Sequence, residues 1–210
     1  MAVGVNFRFG DGRRRLAISP HDLFPTRIWQ ARAGDRLASA ASYISLVDEI
    51  RLSQPEPAGR TNRGGWNSTD KSVLEKPEFA TLRSLVDEAV ASAFVEMGRQ
   101  GQQYELESWI NLHERGGFNF LHVHEGSYLS GCLYLSVPPG SGNLIFRDPR
   151  PGVLHGYLKG AVANGYRDIS LRPENGLLVL FPSWLEHFVE PHGADAPRIA
   201  IAFNAVAISR

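Results

Sequence analysis

The chain has a single cysteine, Cys132, in 210 residues, so no disulfide can form within it and no zinc site built on several thiolates is open to it. Any metal it binds must be held by histidine, carboxylate or water. An excess of charge of one sign is also missing, since 22 Lys and Arg stand against 22 Asp and Glu. With no long-range field, neither nucleic acid nor an anionic membrane surface is an expected partner. The one basic run, three arginines at 13–15, is short and reads as a solvated turn. Near the amino terminus no apolar stretch is long enough for the hydrophobic region of a signal peptide, and no segment could span a bilayer. A soluble cytoplasmic protein is the expectation. Internal repeats, low-complexity tracts and glycine-rich phosphate loops are lacking as well.

What is present changes character near the middle. Over residues 36–51, Leu37, Ala40, Ala41, Ile44, Val47 and Ile50 recur at spacings of three and four, which predicts a helix with one buried stripe. A second helical pattern runs over 79–97, from Phe79 through Leu82, Val86, Val90 and Phe94 to Met97, with Pro77 near its start and Gly98 at its stop. The stretch between them, "SQPEPAGRTNRGGWNSTD" at 53–70, is rich in proline, glycine and small polar residues and predicts a surface loop.

After Gly101 the segments "YELESWINLHE", "SYLSGCLYLSV", "GNLIFRD", "GLLVLFP" and "RIAIAFNAVAI" are short, rich in branched and aromatic residues, and divided by turn signals such as Asn175-Gly176. The fold class expected is mainly β with α: a β-sandwich or jelly roll buttressed by the amino-terminal helices. One domain over 1–210 is expected, with a helical support region at 1–100 and a jelly-roll core at 101–210. Homodimers being the commonest assembly, a dimer is possible.

Histidine is the residue that carries chemistry here. His122 and His124 are two apart, so on a strand both project from one face. His187 follows the apolar strand "GLLVLF", and Arg198 opens the strand "RIAIAFN" eleven residues later. Three imidazoles at strand ends can take three positions of an octahedral metal and leave the others open. The bland alternative is a pair of polar residues at a strand end and a histidine capping a loop. A guanidinium can grip a carboxylate through two parallel hydrogen bonds, so Arg198 is well sited to hold the second end of a dicarboxylate bound at the metal. His113 reads more simply as a strand-end residue, and His21, His155 and His192 as loop residues. Trp66 could close over the site, Trp184 should pack and orient the turn before His187, and Cys132 should be a small core residue.

Several segments also match a known pattern: "GWNS" at 65–68, "WIN" at 109–111, "HVHEGSYLSGCLYLSVP" at 122–138, "FRDPR" at 146–150, "LVLFPSWLEH" at 178–187 and "RIAIAFN" at 198–204. In this order they resemble the 2-oxoglutarate and Fe(II)-dependent oxygenases, in particular the subgroup with HxH, FPSW and R-x-x-x-x-F-N motifs. "LFPTRIW" at 23–29 is similar to that subgroup's opening. The resemblance implies a double-stranded β-helix, the cupin-like jelly roll, holding Fe(II) with 2-oxoglutarate as cosubstrate. It implies that His122 is the first metal ligand, that His124 stands where a carboxylate is usual, that His187 is the distal ligand and that Arg198 clamps the far carboxylate. Asn111, Tyr134 and Asn204 become candidates to hydrogen-bond the cosubstrate.

Glu125 could stand in for His124 as ligand, although strand alternation puts it on the opposite face unless a bulge intervenes. The expected activity is a 2-oxoglutarate-dependent dioxygenase, a hydroxylase of a small molecule or peptide. Two alternatives stay open: a cupin-type three-histidine dioxygenase that does not use 2-oxoglutarate, and a non-catalytic metal-binding module.

Overall fold

The computed structural model describes residues 19, 21, 23–151 and 168–208. The arginines at 13–15 and His155 fall outside them. Helix α1 (Ala40–Ser53) and helix α2 (Ala80–Glu96) form where the apolar period predicts them. The first starts four residues late because Gly34, at φ +54°, opens a 3-10 turn over Gly34–Leu37 instead. The second is entered through a proline-led turn (Pro77–Phe79) and closes at Gly98, φ +70°, where Arg99 N–H reaches Phe94 O at 2.7 Å and Gly98 N–H reaches Val95 O at 2.9 Å. That pair of bonds caps the last carbonyls, and only glycine takes the left-handed position cheaply.

Among the described residues, nine strands make up one antiparallel sheet: β1 (Trp29–Arg32), β2 (Asn62–Asn67), β3 (Tyr104–His122), β4 (Ser127–Ser136), β5 (Leu144–Arg147), β6 (Asp168–Leu171), β7 (Leu177–Pro182), β8 (His187–Val189) and β9 (Arg198–Ala207). Their order is β1-β7-β4-β9-β3-β8-β5-β6, with β2 laid along β3. The sheet curls into a half-barrel, so the expected mainly β class with few helices holds. Strand β3 makes the curl. Its first part pairs with β9, its last part with β8, and Gly116 (φ +80°) and Gly117 lie between the two pairings.

The loop expected over 53–70 is corrected by β2, which occupies its middle. A strand of "NRGGWN" has no alternating apolar pattern to betray it. It forms because its glycines let two backbones close in: a Cβ at Gly65 would lie 2.3 Å from Leu112 O.

Two cores follow from the curl. On its outer side the helices bury Val47, Leu82, Val86 and Val90 against Ile110, Leu129, Ile201 and Phe203. Each such side chain is worth about 1.5–3 kcal/mol when fully removed from water, which fixes the helices to the sheet. The inner cluster, including Tyr134, Phe146, Val179, Phe181 and Ala200, fills one end of the concave side and leaves a cavity at the other.

Candidate active site

Strands β3, β9 and β4 build the cavity wall in rungs, because every second residue of a strand faces the same way and antiparallel register sets those residues side by side. His113 pairs with Arg198, Asn111 with Ala200, Trp109 with Ala202 and Glu107 with Asn204. On the far side of β9, Tyr134 faces Ala200, Cys132 faces Ala202 and Ser130 faces Asn204. Two alanines between Arg198 and Asn204 leave room that larger side chains would fill. The cavity has a volume of about 400 Å³.

His122 and His187 face each other across the β3–β8 pairing, and His124 follows in the turn that its N–H fastens to Ser183 O at 2.9 Å. The three rings converge: one ligand atom from each lies within 4.8 Å of the others. Nε2 of His124 is 3.3 Å from Nε2 of His187. Nitrogens bonded to one metal at about 2.1 Å stand about 3 Å apart, so little movement is needed. Nδ1–H of His122 donates to Phe120 O at 2.6 Å and Nδ1–H of His187 to Leu185 O at 2.8 Å, which leaves each Nε2 lone pair facing the cluster. Asn204 lies 3.4 Å from His124 Nδ1 and also accepts from Ser130 Oγ at 2.8 Å. Its amide, turned over, would accept the His124 proton and take the same orienting part.

Burial holds all three rings below the usual imidazole range, and for His124, at about 4, and His187 a charge on His122 would lower them further. Neutral imidazoles are what a metal requires. Glu125 is exposed and stays outside the three-residue cluster.

Arg198 sits in the same cavity, 2% exposed. Its Nη1 donates to His113 Nδ1 at 3.0 Å and its Nη2 to Tyr134 Oη at 3.2 Å, with the guanidinium carbon 4.8 Å from the Tyr134 ring centre. Nε has no partner, and no carboxylate among the described residues pairs with this cation. Burying a charge opposite neutral groups alone costs several kcal/mol, so the arrangement is complementary to an anion.

Residues 107–204 match the family model described as "Putative 2OG-Fe(II) oxygenase" and contain all three histidines and Arg198. That segment, just under half of the chain, is similar to those of the 2OG-Fe(II) oxygenases. Solved structures of similar fold include a prolyl-4-hydroxylase from Pseudomonas putida, 17% identical at a TM-score of 0.64, with 88% of this chain and 94% of that one covered. HygX from Streptomyces hygroscopicus, solved with nickel and 2-oxoglutarate, is 16% identical at 0.60, with 87% of this chain and 83% of that one covered. A prolyl hydroxylase from Trichoplax adhaerens, in complex with a hypoxia inducible factor peptide, is 16% identical at 0.60, with 85% and 83% covered. At these identities the likeness is one of fold. No curated protein matches the chain.

Both groups that a 2OG-Fe(II) oxygenase uses fit the residues present. Three neutral nitrogens converge on one point, and a buried guanidinium without an acid partner shares their cavity. Asn111, Asn204 and Tyr134 also line this cavity, Asn111 with its carbonyl oxygen buried and unpartnered and Tyr134 with its hydroxyl accepting from Arg198.

Other expectations need correction. Trp66 does not cover the site: it is 2% exposed in the outer core, its Nε1–H donating to Gln54 O at 2.8 Å, and its neighbour Asn67 lines the cavity instead. Trp184 is 55% exposed, and Leu185 is the residue that anchors that turn. Cys132 packs against the inner core cluster, as expected, and also lines the cavity, its thiol pushed up in pKa by burial and so kept protonated. His113, expected at a strand end, lies mid-strand and wholly buried, because β3 continues through it to His122. His192 is buried as well, on the loop before β9. No residue-type signal marked Trp109 as a cavity residue, yet its ring is 5.8 Å from that of His124.

Proposed function

We propose that the chain is an Fe(II)- and 2-oxoglutarate-dependent hydroxylase in which His122, His124 and His187 hold the metal and Arg198 receives the far carboxylate of the cosubstrate. The observation that carries this reading is Arg198: a buried cation whose partners are all neutral, facing the cavity onto which three neutral histidines converge. When bound, iron, oxygen and 2-oxoglutarate supply the oxidising power to replace a C–H by C–OH, with succinate and carbon dioxide as coproducts.

The chain's own residues bind and orient. The backbone carbonyls of Phe120 and Leu185 fix which nitrogen of His122 and His187 faces the metal position. Arg198 and the alanine floor at 200 and 202 set where a dicarboxylate lies, and Tyr134 holds the guanidinium through its hydroxyl and ring. Asn111 and Asn204 hydrogen-bond the cosubstrate or its first neighbours. The substrate, a small molecule or peptide, enters past Arg60, Thr61 and the Lys71–Glu107 ion pair, 2.8 Å apart, which line the cavity too. We place the enzyme in the cytoplasm as one domain.

The test is succinate formation from 2-oxoglutarate by the iron-loaded protein in air, beside His187→Ala and Arg198→Ala. Slow succinate release by the parent and none by either variant supports the reading. Oxygen uptake without succinate would overturn it, in favour of a three-histidine dioxygenase in which Arg198 binds the substrate's own carboxylate.

A further inference from the structure

A buried arginine that is to bind an anion poses a design problem. Left unheld, its long side chain has many rotamers to lose on binding. Held by an aspartate or glutamate it would be rigid, but its charge would already be answered. Here it is held by an imidazole. His113 lies directly opposite Arg198 in the β3–β9 register, is 0% exposed, and offers Nδ1 as acceptor at 3.0 Å from Nη1. Such a bond needs the proton on Nε2 and a neutral ring. Burial first, and then the Arg198 charge, push the His113 pKa down to about 3, so the ring is neutral at any ordinary pH. Asn119 raises it only in part. That amide is itself fixed by its bond to Thr61 Oγ1 at 2.8 Å.

We infer that His113 is the positioning residue of the carboxylate clamp: as an uncharged acceptor it aims the Arg198 guanidinium into the cavity without neutralising it, leaving that charge for the cosubstrate's far carboxylate. The inference rests on the function proposed above and adds a residue to it. Aspartate at this position would give an ordinary buried ion pair with Arg198 and a poorer anion site.

Side-chain geometry makes this testable, because Oδ1 of asparagine or aspartate stands at the same number of bonds from the backbone as Nδ1 of histidine. The probe is 2-oxoglutarate itself, titrated calorimetrically into the full chain loaded with Mn(II) in the absence of oxygen, with the thermal midpoint of each metal-free variant measured alongside. His113→Asn restores an uncharged acceptor and keeps the Kd within about 5-fold of the parent. His113→Ala loses the acceptor and weakens binding about 10-fold. His113→Asp weakens it by about 30-fold or more, while its thermal midpoint without ligand equals or exceeds that of His113→Asn. Affinity and stability moving in opposite directions is a signature that a merely structural histidine does not give.

Equal Kd values for the asparagine and aspartate variants, or an alanine variant that binds as the parent does, would overturn the inference while leaving the proposed function intact. Should the aspartate variant not fold, the asparagine and alanine pair decides the matter alone. A parent that binds Mn(II) but no 2-oxoglutarate would instead overturn the reading of the site itself, and this inference with it.

Discussion

Single residues in this site act through what they are denied as much as through what they touch. Arg198 has two neutral partners and no acid, and the three histidines have backbone carbonyls at Nδ1 or an amide beside it but nothing to satisfy their inward nitrogens except one another. Removing the Tyr134 hydroxyl should therefore cost more than a surface hydrogen bond. Tyr134→Phe keeps the ring under the guanidinium but strands a buried donor, and is expected to lose about 1–3 kcal/mol in urea unfolding. Asn204→Ala, which takes away the group beside His124 Nδ1, is expected to lower metal affinity by about 10-fold to 100-fold in a chelator competition, with thermal stability of the metal-free protein changed much less. An unchanged metal affinity would show that Asn204 does not orient the ligand.

Elements place these residues, and here the sequence was most and least legible. The helices and the later strands could be read because apolar spacing reports which face is buried, whatever the tertiary partner. Strand β2 could not, because its pairing depends on two backbones meeting at Gly65, an absence of side chain that looks the same as a loop. The same strand carries Asn67 into the cavity, so Gly65→Ala should both destabilise the fold, by about 1–3 kcal/mol, and disturb turnover. A proteolysis or urea comparison with the parent checks the first effect. Just beyond β2, the turn at Asp70 contributes a pH dependence. Burial acts to raise its pKa, but hydrogen bonds from Ser72 Oγ and N–H and the Lys76 ammonium outweigh it and the net shift is downward from 3.8. A carboxylate lowered in the folded state stabilises above its unfolded value and loses that contribution as pH falls through the folded one. The stability gap between the parent and Asp70→Asn should accordingly be present at pH 6 and shrink as pH drops below about 3.8, and a gap that is the same at both pH values would contradict this.

Across the whole molecule the pattern of histidines two apart, a third after a strand and an arginine opening the last strand was legible because each depends on chain order and strand period. His113 was not, since nothing in "WINLHE" tells that β3 runs on past it or that β9 sets Arg198 opposite. Nor could spacing tell that Trp66 turns outward to the helices while Asn67 turns in. The curl that separates those two sides is the shared feature of the solved neighbours and the reason that a few residues scattered from 107 to 204 meet in one cavity. Because iron and 2-oxoglutarate are proposed to meet there, the most direct test is the visible absorption of the protein with Fe(II) under anaerobic conditions, before and after 2-oxoglutarate is added, in the parent and in Arg198→Ala. A new charge-transfer band is expected in the parent, one that needs far more 2-oxoglutarate to appear in the variant, and bound iron without any such band would contradict the proposed function.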